Sequence, residues 1–86
     1  MGNKNYEKGR RKEYKIVKAF KQSGCEIAQR TAGSHSPIDV FAINEKEKTI
    51  YFVQAKPDDY SDSATRKIYK ELGYLNGVWR VKFFVE

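Results

Sequence analysis

Ile38-Asp39-Val40-Phe41-Ala42-Ile43, then Asn44-Glu45-Lys46-Glu47-Lys48, then Thr49-Ile50-Tyr51-Phe52-Val53-Gln54-Ala55-Lys56: this stretch decides the fold. Two runs rich in β-branched and aromatic residues flank a polar segment, the pattern of an antiparallel hairpin. Pro57 ends the second run, because it has no N–H to give a ladder. Pairing Ile43 with Ile50 sets a register in which Asp39 lies opposite Gln54, and opposed residues share a face. One face then carries Phe41, Ile43, Ile50 and Phe52 and turns polar at Asp39, Gln54 and Lys56. The other carries Ile38, Val40, Ala42, Tyr51, Val53 and Ala55. Both faces are apolar, so the hairpin is expected in the middle of the molecule, covered on both sides. A slip of one residue would part Gln54 and Lys56 from Asp39.

Upstream, residues from about Asn5 to Gln22 read as a helix. Ile16, Val17 and Phe20 form its apolar stripe, with Lys12, Lys15, Lys18 and Lys21 expected to face away. Glu13 lies three and four residues before Ile16 and Val17, so it falls on the buried stripe. A charge in such a stripe is costly unless it binds something. Gly24 is placed to end the helix, and residues 25–30 read as a short strand. Residues 31–37 form a loop containing Ala32-Gly33-Ser34-His35. Downstream, the polar loop Asp58–Asp62 leads to a second helix over about Ser63–Leu72, with Ala64, Ile68, Tyr69 and Leu72 as its stripe and Gly73 as its stop. Gly77 marks a turn before a last strand, Val78–Val85. The order is α-β-β-β-α-β: one small α/β domain over residues 1–86, with a flexible basic tail expected at 1–5.

Composition narrows the function. The chain has 86 residues, 40% of them hydrophobic and 14% aromatic, enough apolar content for a core and too much for disorder. Its single cysteine, Cys25, leaves no internal disulfide and no cysteine-based zinc site, and reads as a small buried apolar residue. The start of the chain has no apolar leader pattern and no apolar run is long enough to span a bilayer, so a cytoplasmic location is expected, or the host cytoplasm for a viral protein. The net charge of +6 is concentrated at the front: residues 1–21 hold eight of the 17 bases and two of the 11 acids, leaving nine of each beyond. Such a block points to a polyanion such as DNA; a merely solvated helix face is the plainer alternative. Within it, Lys8, Arg10 and Arg11 lead the candidates for phosphate contact, with Gly9 letting the backbone come close and Arg30 lying beside the Ala-Gly-Ser loop.

Tyr6-Glu7-Lys8-Gly9 with Glu13, Arg30-Thr31-Ala32-Gly33-Ser34, Ile38-Asp39-Val40 and Val53-Gln54-Ala55-Lys56 together resemble the motifs of the PD-(D/E)xK nuclease superfamily. Within it the chain is most similar to the archaeal Holliday junction resolvases and their viral relatives. The resemblance covers roughly residues 6–56, and the remaining helix and strand would complete the superfamily's minimal restriction-endonuclease-like core, with a mixed central sheet between flanking helices. One departure is Gln54, where resolvases carry Glu; the Mrr-like restriction nucleases resemble this chain in having Gln-x-Lys there.

The resemblance implies a Mg²⁺-dependent endodeoxyribonuclease, with Mn²⁺ able to substitute, working as a homodimer on branched or four-way-junction DNA. Asp39 would ligate the metal directly, since Mg²⁺ prefers carboxylate oxygens and retained waters. The side-chain oxygen of Gln54 and the carbonyl of Ala55 would add neutral oxygens, and Glu13 would bind through water or hold a second ion. Lys56 would supply positive charge beside the attacking water and the scissile phosphate. Ser34 would hydrogen-bond a phosphate oxygen. His35 would contact DNA or carry a proton, although a lone loop histidine is usually incidental. The alternative is a DNA-binding protein on the same fold whose catalysis is weakened or lost through Gln54.

Overall fold

The computed structural model describes residues 4–31 and 36–86. Its architecture is α/β: helix α1 (Lys4–Gln22), strands β1 (Ile27–Arg30), β2 (Val40–Asn44) and β3 (Thr49–Val53), then helix α2 (Asp62–Leu72) and a 3₁₀ turn, Gly73–Leu75. The sheet order is β1-β2-β3 with both pairings antiparallel. Lys4 and Asn5 already belong to α1, so the expected tail is shorter than residues 1–5; residues 1–3 lie outside the described residues.

The hairpin register is the one the sequence dictates, with Ile43 facing Ile50 and Phe41 facing Phe52. Its turn holds because the Asn44 side chain accepts the Glu47 N–H at 2.9 Å, and Lys48 closes it in the left-handed region at φ 56°. α1 ends as expected at Gly24, whose φ of 111° suits glycine. There the Cys25 N–H reaches back to the Phe20 carbonyl and the Gly24 N–H to that of Lys21, at 3.0 and 3.2 Å. These paired bonds satisfy carbonyls that the last turn of a helix leaves open.

The core lies between α1 and one face of the sheet. Cys25, Ala28 and Ala42 are buried, with Val17, Phe20 and Tyr51 packed against them. Ala28 and Ala42 face each other across β1 and β2, and their small side chains let the helix settle close to the sheet. Phe20 and Tyr51 meet with ring centroids 5.1 Å apart, and Val40 is fully buried on the same side.

Three expectations are corrected. The hairpin is covered on one face only: Phe41 and Ile43 are half-buried, but Ile50 is 37% and Phe52 51% exposed. The helix that would cover them, α2, is capped by Ser61, whose hydroxyl accepts the Ala64 N–H at 3.2 Å, yet it buries none of its residues. It stands across an open cleft from β3, lined by Phe52, Ile68, Leu72 and Val78 among others. The last strand is not formed. Residues 78–86 are irregular, and Val78, Val81, Phe83, Phe84 and Val85 are all more than two-thirds exposed. A β pattern supplies side chains for a sheet face, but a strand also needs a neighbour to hydrogen-bond, and this segment has none among the described residues. Without it the sheet is purely antiparallel, not mixed. Lastly, β2 begins at Val40 and β3 ends at Val53, two and three residues inside the expected limits.

Candidate functional site

That early end of the ladder builds the site. Asp39 stands where β1, β2 and β3 come to their common end. Its N–H donates to the Val53 carbonyl at 2.8 Å, and its carbonyl accepts the Thr31 N–H at 3.0 Å. Its carboxylate takes the next N–H of the opposite chain for itself, Ala55 N to Asp39 Oδ2 at 2.8 Å. A short acidic side chain competes with ladder bonding in this way, so Asp39 and Gln54 do not form the expected ladder pair. Asp39 is instead tied to Ala55, with a second carboxylate oxygen in the same group.

Gln54 follows directly. Its Oε1 is buried and has no hydrogen-bond partner, the only such side-chain atom among the described residues. A buried acceptor left unmatched costs about 1–3 kcal/mol. An unmatched oxygen acceptor of this kind suits a cation. Asp39, the Gln54 amide oxygen and the Ala55 carbonyl are the groups that would hold one, with water and substrate phosphate filling the other positions, as Mg²⁺ tolerates. Among the described residues no three acidic, histidine or cysteine side chains converge. The residues therefore fit a weakly held, hydrated divalent ion better than a closed cage.

Glu13 has another partner. Its Oε1 accepts from Arg30 Nε at 2.8 Å, with both side chains only 20–26% exposed. The same guanidinium donates to the Tyr14 hydroxyl at 3.4 Å and lies 4.8 Å from that ring's centre, while Arg10 lies 5.7 Å from it. The Glu13 carboxylate raises the pKa of Arg30, and hydrogen bonds from Arg10 and then Arg30 lower that of Tyr14. Arg30 thus neutralises Glu13 on the helix side of the sheet, and both residues enter any ligand-binding role from an existing ion pair.

Lys56 also has a defined place. Its ammonium lies 5.5 Å from the centre of the Tyr60 ring, and its carbonyl accepts a hydrogen bond from Lys12 Nζ. Lys12 also pairs with Asp58 at 2.9 Å, which holds the Asp58 carboxyl below its ordinary pKa. Lys12 therefore does not face away with the other lysines. It falls at i−4 and i−8 from Ile16 and Phe20, so it flanks their stripe. Lys8, Gly9, Arg10 and Arg11 are exposed along the first turns of α1, and a side chain at Gly9 would meet open space. Ala32, Gly33, Ser34 and His35, and with them the expected Ala-Gly-Ser loop, lie outside the described residues.

The structure thus joins Asp39 to Ala55 and leaves Gln54 beside them with an unmatched acceptor, while Glu13 is bound to Arg30. Tyr14, Lys12, Asp58 and Tyr60 are additions. The Arg10–Tyr14 spacing of four was a readable helical pairing; nothing local marked Tyr60. Comparison with protein families, curated proteins and solved structures gave no match. No helix among the described residues is long and apolar enough to cross a membrane.

Proposed function

We propose that this chain is a divalent-metal-dependent DNA endonuclease of the PD-(D/E)xK type, acting on branched DNA. The observation that carries the reading is the buried, unmatched Oε1 of Gln54, next in sequence to an Ala55 already tied to Asp39. A Mg²⁺ ion bound there would lower the pKa of a bound water and draw charge from a phosphate oxygen. Two backbone hydrogen bonds fix Asp39 at the end of the sheet and one from Ala55 N–H orients its carboxylate before any ligand arrives. Lys56 supplies a positive charge for the extra negative charge that develops on the phosphate. The exposed bases of α1 hold the DNA backbone, which carries no base identity and so gives binding without sequence preference. A second copy would match the near two-fold symmetry of a four-way junction.

The non-catalytic reading has an observation in its favour as well: Glu13 is neutralised by Arg30 and Gln54 is uncharged, so Asp39 is the one free-standing anionic ligand in the proposed set. One experiment separates the two. Purified protein is incubated with labelled linear, single-stranded and four-way-junction DNA, with Mg²⁺, Mn²⁺ or EDTA. Metal-dependent cuts that disappear in Asp39→Asn and Lys56→Ala support the nuclease. Junction retention without cuts under any metal supports the binding protein, and undiminished cutting by Asp39→Asn removes the assigned site.

A further inference from the structure

Lys56 lies beyond the end of β3, where no ladder bond fixes it, yet its long side chain has a definite position. Four contacts account for that. The Tyr60 N–H donates to the Pro57 carbonyl at 3.0 Å, folding residues 57–60 into a turn that brings the ring back over Lys56. The Lys56 ammonium sits 5.5 Å from the ring centre, inside the range of about 6 Å at which a cation is attracted by an aromatic face. Lys12 reaches over from α1 to the Lys56 carbonyl, and the same ammonium pairs with Asp58 at 2.9 Å inside the turn. The helix thus holds the segment that presents the ring at its start and inside its turn.

We propose that Tyr60 is the positioning residue of Lys56, and that the Lys12–Asp58 pair latches the turn that holds Tyr60 in place. The inference rests on the nuclease reading, in which Lys56 must meet a phosphate. A free lysine side chain loses several rotamers to do that, and an aromatic face on one side removes part of the loss beforehand. The ring contacts one side of the ammonium and leaves its N–H donors on the other side available.

The test uses the full chain with Tyr60→Leu, Tyr60→Phe and Asp58→Asn, read in two ways. In the metal-free protein, nuclear magnetic resonance of the Lys56 methylene protons beside the ammonium reports the ring directly, because an aromatic face shifts them upfield. That shift is expected in the wild type and in Tyr60→Phe, is lost in Tyr60→Leu and is reduced in Asp58→Asn. In single-turnover cleavage with saturating metal and junction DNA, Tyr60→Leu is expected to be about two- to fivefold slower, the range that a partly exposed cation–π contact converts to. Tyr60→Phe recovers most of that rate, since the ring and not the hydroxyl does the positioning. An equal methylene shift in wild type and Tyr60→Leu overturns the placement. A wild type that cuts, with a Tyr60→Leu that cuts equally fast or faster, overturns the positioning role and leaves the nuclease reading standing. A wild type that cuts no substrate with any metal overturns the nuclease reading, and the role of Tyr60 with it.

Discussion

Replacing Gln54 with methionine tests the cation site without relying on cleavage. Gln54→Met keeps an unbranched side chain of similar length and removes the one buried side-chain acceptor that, among the described residues, has no partner. An unmatched buried acceptor costs about 1–3 kcal/mol, and imperfect repacking returns part of it, so the metal-free variant is expected to be more stable by about 1 kcal/mol. In a chain of this size that raises the Tm by roughly 4–8 °C. Metal should reverse the order. A ligand present at a hundred times its Kd stabilises the folded state by about 2.7 kcal/mol, and the variant has lost one of the ligating oxygens. The assay is thermal unfolding of both proteins in EDTA and across a Mg²⁺ titration, with no DNA present. The reasoning fails if Gln54→Met is the less stable protein in EDTA, or if both gain equally from Mg²⁺. The first result would mean that the amide oxygen is already matched without metal, the second that it does not hold a cation.

The Glu13–Arg30 pair is mostly buried, so Arg30→Ala leaves a carboxylate uncompensated and is expected to cost about 2 kcal/mol in urea unfolding; a loss below about 0.5 kcal/mol would show that water replaces the guanidinium. Lys12 depresses the pKa of Asp58 below its ordinary 3.8, so the pair contributes stability above that pH and loses it as the pH falls through the lower, folded value. The stability difference between wild type and Lys12→Ala should therefore be larger at neutral pH than in strong acid, where only the bond from Lys12 to the Lys56 carbonyl is left, and a difference that does not change with pH rules out the Asp58 pair as a source. Lys48 closes the β2–β3 turn at φ 56°, a conformation that strains side chains branched at Cβ most. Lys48→Gly is expected to keep or raise stability by up to about 1 kcal/mol and Lys48→Val to lower it by about 1–2 kcal/mol; equal urea midpoints for the two would refute the strain.

The hairpin was legible because a two-residue period leaves a single register in which both apolar sets line up, and the structure has that register from Val40–Val53 to Asn44–Thr49. The end of α1 was legible for a similar reason: Gly24 has a backbone freedom that other residues lack. Both rest on interactions between residues near in sequence. The site was only half readable. Asp39 and Gln54-Ala55-Lys56 stand out as polar residues ending apolar runs, but their mutual arrangement depends on a competition. The Asp39 carboxylate takes the Ala55 N–H, and the ladder stops two pairs early, at Val40–Val53. Glu13 was visible as a charge on a buried stripe, while its partner Arg30, 17 residues away, is supplied by how α1 crosses β1. Asp58 joins the site through Lys12, which reaches across from the same helix, and Tyr60 through the turn that its N–H closes on the Pro57 carbonyl. The C-terminal segment marks the other limit. Its sequence makes residues 78–85 suitable for a strand, but whether a strand forms depends on a neighbour with free backbone groups, and tertiary packing alone can provide one.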